Sequence, residues 1–223
     1  MSLILNIDTA TEQASVSLAL EGKLLLEKIN QRQMDHAAWI HTAIEEMLKE
    51  SRRLATDLMA IAVMAGPGSY TGLRVGMATA KGLCYALGIP LVTLNTLKVM
   101  AFAASKHASP RVLLCPMLDA RRMEVFTALY DTELKELMPP CAMILQPDVF
   151  NSWLSVNPII FFGNGSNKAK TLLTQENATF KDIFYEAEDI SLLSYGRFLQ
   201  ADFSDLAYTA PVYLKDFYTH HKK

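Results

Sequence analysis

The chain has few cysteines and no long apolar run, and its charges nearly cancel. It contains three cysteines in 223 residues, Cys84, Cys115 and Cys141, and this odd, widely spaced set argues against a disulfide framework or a zinc site. A net charge of −2 argues against a protein that grips nucleic acid unaided. No apolar run approaches bilayer length, and the first residues predict an immediate strand instead of a cleavable leader. We therefore expect a cytoplasmic protein with no membrane partner.

The most informative motif is a glycine-rich run between a predicted strand, 58–65, and a predicted helix, 71–87. It reads Gly66-Pro67-Gly68-Ser69-Tyr70-Thr71-Gly72-Leu73-Arg74-Val75-Gly76. Backbone N–H groups converge at such a helix N-terminus, which is a natural anion site. The run lacks the Gly-Lys-Ser/Thr ending of a P-loop and the spacing of the dinucleotide fingerprint. Its spacing therefore leaves two interpretations open, a phosphate cradle and a ligand-free strand-to-helix turn.

The two halves of the chain repeat one pattern. Alternating apolar residues predict three consecutive strands in each half, followed by helices and further strands. Asp8 and Asp119 end the first strand of their halves, and Gly66-Pro67-Gly68-Ser69 is echoed by Gly163-Asn164-Gly165-Ser166. The three strands are predicted over 3–7, 14–20 and 23–29 in the first half, and over 112–118, 124–130 and 141–145 in the second.

This duplication predicts two homologous lobes with a cleft between them. The fold class is α/β, with two ribonuclease-H-like lobes over residues 1–106 and 107–223. That arrangement is typical of the actin, sugar-kinase and heat-shock-chaperone ATPase superfold, although a fold does not determine a function. A last helix, predicted over 192–200, is expected to pack back on the first lobe.

The strand ends and glycine turns supply the candidate cleft residues. In kinases and ATPases of this architecture, such aspartates position metal-bound water or a phosphate. The sequence leaves open the simpler interpretation that each aspartate caps its own turn. The candidate nucleotide-binding residues are Asp8, Thr9, Gly66, Gly68, Ser69, Asp119, Gly163 and Gly165.

The sequence predicts neither a metal site nor a catalytic residue. His36 and His41 are five positions apart, so they diverge by roughly 140° on a helix, whereas two ligands on one face need a spacing of three or four. A two-metal nuclease needs clustered carboxylates, and the first three strands offer Asp8 with only Glu21 and Glu27. A peptidase would need a Ser-His-Asp or Cys-His set, and none is legible.

The helix over 71–87 carries small residues on one face. Gly72, Gly76 and Ala80 are spaced at i, i+4 and i+8, and each internal glycine costs about 1 kcal/mol relative to alanine. Small residues allow another backbone to approach closely. This face therefore packs either against the chain's own sheet or against a helix of another molecule.

Four segments in order resemble the TsaB (YeaZ) family over most of the chain. They are Asp8-Thr9-Ala10, the run from Gly66 to Gly76, Asp119-Ala120-Arg121-Arg122, and Pro211-Val212-Tyr213-Leu214-Lys215. Three positions depart from the family pattern. Tyr70 replaces phenylalanine, His36-Ala37-Ala38-Trp39 replaces a His-Ser-Glu segment, and Lys215 replaces a common arginine.

The resemblance implies a non-catalytic subunit of the bacterial machinery that makes threonylcarbamoyladenosine in tRNA. Such a subunit activates its paralogue TsaD, which carries the metal and transfers the threonylcarbamoyl group to the adenosine next to the anticodon. The His-x-x-x-His pair of that paralogue is absent here. TsaE, a small ATPase, joins the assembly, and tRNA is reached only through the complex.

The resemblance also implies a docking surface and a cofactor expectation. The chain requires no cofactor of its own, while ATP or ADP can belong to the assembled complex. The partner surface, which a homodimer uses when the partner is absent, would involve His36, Trp39, Ile40, Gly72, Leu73, Val75, Gly76, Met77 and Ala80. The alternative function is a small-molecule kinase or ATPase that uses the interlobe cleft.

Overall fold

The first lobe is built on a five-stranded mixed sheet. In the computed structural model, which describes residues 1–30 and 35–215, its strand order is β3-β2-β1-β4-β5. β1 pairs antiparallel with β2 and parallel with β4. β2 pairs antiparallel with β3, and β4 pairs parallel with β5. The strands are β1 (Leu3–Asp8), β2 (Ala14–Leu20), β3 (Lys23–Asn30), β4 (Leu58–Gly66) and β5 (Leu91–Asn95).

The second lobe repeats this topology. Its strand order is β8-β7-β6-β9-β10, with antiparallel pairing along the first three strands and parallel pairing along the last three. The strands are β6 (Leu113–Asp119), β7 (Glu124–Tyr130), β8 (Glu136–Ile144), β9 (Ile159–Phe162) and β10 (Ala178–Phe180). Each strand has a counterpart in the first lobe, so the predicted fold, a duplicated ribonuclease-H-like α/β fold, is confirmed.

In the described residues, six α-helices cover the sheets. They are α1 (His36–Glu50), α2 (Tyr70–Leu87), α3 (Thr96–Ser105), α4 (Asn151–Leu154), α5 (Ser166–Lys170) and α6 (Ala187–Leu199). α2 begins where the Ser69 hydroxyl accepts a hydrogen bond from the Gly72 N–H, at 3.3 Å, and ends where Gly88 takes a left-handed conformation. None of the helices in residues 1–30 and 35–215 is long and apolar enough to cross a membrane.

The helices divide between the two faces of the first sheet. α1 and α2 cover one face, where Ile40, Met47 and Met77 join the strand residues in one core. α3 and α6 cover the other face, where Val99 and Ile190 pack. α3 also packs on the second sheet through Leu97 and Met100, so it lies between the two lobes.

Four elements differ from the sequence prediction. β8 begins at Glu136, five residues earlier than predicted, because an edge strand tolerates Pro139 and Pro140. β10, which has three residues, was not predicted. The sequence predicts a short helix over 147–154, but α4 begins at Asn151, and α6 begins at Ala187 instead of at 192. The start of α6 follows from polar capping by Glu186 and Asp189, which an apolar periodicity does not reveal.

α6 is held on the first sheet by a buried polar network. The Asn6 amide donates to the Ser17 and Ser191 hydroxyls, at 3.3 Å each, and its oxygen accepts from the Ser194 hydroxyl at 2.7 Å. Lys106 pairs with the buried carboxylate of Asp189 at 2.5 Å. The last helix therefore belongs to the first lobe, although it follows the second in sequence.

Removing one hydroxyl from this network should destabilise the fold. In Ser194→Ala the Asn6 oxygen stays buried without its donor, and we expect the free energy of unfolding to fall by about 1–3 kcal/mol. The control is Ser152→Ala, at an exposed helical serine, which should change it by less than about 0.5 kcal/mol. Urea denaturation measures both, and equal stability of the two variants would contradict the role of the network.

Candidate functional site

Asp8, the first candidate cleft residue, is already satisfied by the chain itself. It is 5% exposed, and its carboxylate accepts hydrogen bonds from the Ala10 N–H, at 2.9 Å, and from the Tyr185 hydroxyl, at 2.7 Å. Burial raises the pKa of Asp8, while these two hydrogen bonds and the charge of His36 oppose the rise. Burial and the nearby carboxylate also raise the pKa of Tyr185 well above its usual value. Both oxygens of Asp8 thus have partners before any ligand arrives.

Three glycines bring α2 against the turn that follows β1. A Cβ on Gly68 would overlap the Ala10 carbonyl oxygen, one on Gly72 the Thr9 carbonyl oxygen, and one on Gly76 the Thr9 hydroxyl. The Thr9 hydroxyl donates to the Gly72 carbonyl at 2.7 Å. The small face of α2 therefore packs against the chain's own first strand, which is the first of the two alternatives that the spacing leaves open.

The N–H groups at the start of α2 are engaged in the same packing. The Ser69 N–H donates to the Ala10 carbonyl at 2.7 Å, and the Leu73 N–H donates to the Ser69 carbonyl at 2.8 Å. The Gly72 N–H donates to the Ser69 hydroxyl. Gly66 faces the Val212 carbonyl oxygen, which an added Cβ would approach to 2.9 Å. A phosphate would have to displace these contacts to be cradled here.

Asp119, the counterpart of Asp8, lies in a different environment. Its side chain is 40% exposed and pairs with Lys168 at 2.5 Å, and it also accepts from the Arg121 N–H at 2.6 Å. Burial by itself would raise the pKa of Asp119, but the bonds from Lys168 and Arg121 outweigh it and hold the pKa below its usual value. The two equivalent strand ends therefore carry carboxylates that are shifted in opposite directions.

The second glycine turn also closes on its own sheet. The Gly165 N–H donates to the Met117 carbonyl at 3.0 Å, and a Cβ on Gly163 would crowd that same carbonyl. The Asn164 side chain accepts from the Asp119 N–H at 2.9 Å. Both candidate cleft turns thus make close backbone contacts within their lobes.

The part of the chain that the structure describes contains no cluster of three or more metal-ligating side chains. His36 is half-buried at the start of α1, while His41 is exposed one turn later. All three cysteines are free thiols, and burial raises the pKa of Cys84 to about 11 and that of Cys115 to about 12. These groups supply no nucleophile or metal site together with Asp8 or Asp119.

The predicted partner residues divide between the inside and the outside of the lobe. Six of the nine are buried within the chain, so they serve its own core: Ile40, Gly72, Leu73, Gly76, Met77 and Ala80. His36, Trp39 and Val75 are partly exposed. The glycine spacing identified the inner face of α2, because spacing predicts close packing but does not reveal what a face contacts.

The outer face of α2 has properties that the sequence analysis missed. We use this name for Arg74, Ala78, Gly82, Tyr85 and Ala86, all of which are exposed. Tyr85 is 83% exposed, and a Cβ on Gly82 would meet nothing within 4 Å. Close packing inside the described chain therefore does not require a glycine at position 82. Ala78, Gly82 and Ala86 are spaced at i, i+4 and i+8, and this spacing was the sequence pattern from which a second face of small residues could have been predicted.

The two strand-end aspartates should respond to pH in opposite ways. The folded-state pKa of Asp8 is raised, so its stabilising contribution is present at low pH and is lost as the pH rises. The pKa of Asp119 is lowered, so its contribution is present at neutral pH and is lost as the pH falls. We expect Asp8→Asn to gain stability relative to the unmodified chain as the pH rises above about 4. Asp119→Asn should gain as the pH falls below about 4.

Chemical denaturation across a pH series measures both differences, and each variant serves as the control for the other. Subtracting the unmodified chain cancels the titration of all other groups. Two differences that change in the same direction would contradict the assigned environments.

Comparison with known proteins identifies the relatives of this chain. The family described as TsaD, tRNA N6-adenosine threonylcarbamoyltransferase, matches residues 25–208. The tRNA threonylcarbamoyladenosine biosynthesis protein TsaB of Bacillus subtilis is 31% identical over 177 residues, covering 76% of this chain and 74% of that protein. The TsaB of Escherichia coli is 28% identical over 227 residues, covering 96% and 94%.

A solved structure agrees with these matches. YeaZ from Pseudomonas aeruginosa superposes with a TM-score of 0.80 at 25% identity, covering 96% of this chain and all of that one. The chain therefore belongs to the TsaD family and, within it, to the TsaB (YeaZ) group, whose curated members are named tRNA threonylcarbamoyladenosine biosynthesis proteins.

Proposed function

We propose that this chain is a non-catalytic subunit that activates TsaD in threonylcarbamoyl transfer to the adenosine next to the tRNA anticodon. The observation that carries the proposal is the occupation of the cleft positions by the chain's own groups. Tyr185 donates to Asp8, and the Ala10 carbonyl takes the Ser69 N–H. A subunit without chemistry of its own acts by binding, so its function depends on a docking surface.

The docking surface in this proposal is the exposed side of α1 and α2. Ala37 and Ala38 on α1 are small, and so are Ala78, Gly82 and Ala86 on the outer face of α2, so a partner helix can approach closely. Glycine at position 82 costs about 1 kcal/mol relative to alanine, and close approach of a partner backbone would account for it. TsaD is the partner here, a second copy of the chain takes its place when TsaD is absent, and TsaE and tRNA join through the complex.

The alternative, a small-molecule kinase or ATPase, receives less support. It needs free N–H donors at the start of α2 and an available carboxylate at the end of β1. The Ser69 N–H, the Gly72 N–H and the Asp8 carboxylate all have partners within the chain. ATP or ADP therefore belongs, in this proposal, to the assembled complex.

Reconstitution tests the activator role directly. The chain is combined with its cognate TsaD and TsaE, tRNA, ATP and threonylcarbamoyl-adenylate, and modified adenosine is counted with and without the chain. We expect modification to require it. Equal modification in its absence would contradict the proposal and would lead back to nucleotide titration of the isolated chain.

A matched pair of glycine substitutions tests the docking face. Gly82→Trp places a bulky ring on the outer face of α2, and we expect the affinity for TsaD to fall by about 1–3 kcal/mol, roughly five- to 150-fold. The control is Gly196→Trp on α6, because a Cβ at either glycine meets nothing within 4 Å. Calorimetric titration measures both, and equal affinities would exclude this face.

A further inference from the structure

The segment after α6 returns along α2 and forms a groove with it. The Lys81 ammonium donates to the Ala207 and Thr209 carbonyls, at 3.1 and 3.0 Å. The Val212 N–H donates to the Ala65 carbonyl at 2.7 Å, at the end of β4. One wall of the groove is therefore α2, and the other is the extended segment 209–211.

The groove has an apolar middle and a cation at each end. Met77, Ala78 and Pro211 line its middle, and Arg74 and Lys81 lie seven positions apart along α2. The groove is shallow and open to the surface beside the outer face of α2, with a volume of about 320 Å³. It therefore offers a partner side chain a short surface depression and not a closed pocket.

Neither cation is neutralised by a carboxylate in the described part of the chain. The Arg74 guanidinium lies over the Tyr70 ring, 4.5 Å from its centroid. The acceptors of Lys81 are carbonyl oxygens, which carry no net charge. Among residues 1–30 and 35–215, no carboxylate pairs with either of these two positive charges, in a chain whose net charge is −2.

We infer that this groove receives a carboxylate side chain of the protein that docks on α2. The inference rests on the proposed docking and names the chemistry that the partner must present there. The Asp or Glu carboxylate would lie between Arg74 and Lys81, and its methylene groups would contact Met77 and Pro211. Tyr208, which precedes the groove residue Thr209 in sequence, and Tyr85 on the outer face of α2 are 88% and 83% exposed. Tyrosine, methionine and arginine are the residue types that enrich protein interfaces.

A nucleic-acid phosphate is the other anion with this charge. The apolar middle of the groove and the small residues beside it favour a protein side chain, because phosphate contacts need no apolar floor. The two occupants predict different losses when Arg74 is reversed, so the experiment below separates them.

Charge reversal at Arg74 tests the inference. The affinity of the chain for its cognate TsaD is measured at about 50 and 500 mM salt, since exposed ionic contacts are screened at high salt. We expect Arg74→Glu to weaken binding by roughly tenfold or more at low salt, because it opposes two like charges. Arg74→Gln should lose less, and all three affinities should converge at high salt.

Three controls keep the outcomes distinct. Lys135→Glu makes the same charge change at an exposed lysine in the turn between β7 and β8 and should leave the affinity unchanged. Thermal unfolding verifies that Arg74→Glu is folded. Changing each acidic residue of the partner's docking helices to lysine, one at a time, should identify one that restores binding to Arg74→Glu.

The negative results of these experiments distinguish a failure of the groove inference from a failure of the proposed function. If the unmodified chain does not bind TsaD, the proposed function fails. If Gly82→Trp loses binding while Arg74→Glu retains it, the docking face stands and the groove inference is overturned. Loss of tRNA binding to the complex, with unchanged affinity for TsaD, would overturn it in favour of a phosphate.

Discussion

Carbonyl oxygens of the turn after β1 lie so close to the start of α2 that no side chain fits between them. Gly68, Gly72 and Gly76 provide the space, and Thr9 and Ala10 fill it. This contact sets the rotation of α2 about its axis and so decides which residues face solvent. It also uses the Ser69 N–H, while the Ser69 hydroxyl takes the Gly72 N–H, so neither donor is left for an anion.

The two lobes share a topology but differ in what covers their strand ends. The chain returns to the first lobe after β10, and this return brings Tyr185 over Asp8 and α6 onto the sheet. In the second lobe the corresponding aspartate is paired with Lys168, a residue of its own lobe, and stays partly open to water. The pKa of Asp8 is therefore raised by burial in spite of the Tyr185 hydrogen bond, whereas Lys168 and Arg121 lower the pKa of the less buried Asp119.

The sequence predicts the strands of both lobes better than it predicts the site. Alternation and turn residues locate β1, β2 and β7 closely, because burial of one face is a local pattern. The glycine spacing identifies α2 as a close-packing helix, but its partner is a tertiary property and lies more than fifty positions away, at Thr9. No local sequence pattern predicts that Tyr185 contacts Asp8. The whole second lobe separates the two residues in sequence, so their contact is a tertiary property. The lobe boundary near residue 106 stays a prediction.

The segment 201–215 contacts α2, the first sheet and the second lobe. Ser204 bridges to β5, Lys81 of α2 holds the Ala207 and Thr209 carbonyls, and Val212 bonds to the end of β4. At its far end Lys215 pairs with Glu124 at the start of β7, in the second lobe. One continuous strap, residues 201–215, thus touches α2, the first sheet and the second lobe. The strap also forms one wall of the groove beside Arg74 and Lys81. A partner side chain bound in that groove would therefore contact the segment that connects the two lobes. In the activator role proposed above, binding on α2 would then stabilise the relative position of the lobes and so hold the bound enzyme in a defined arrangement.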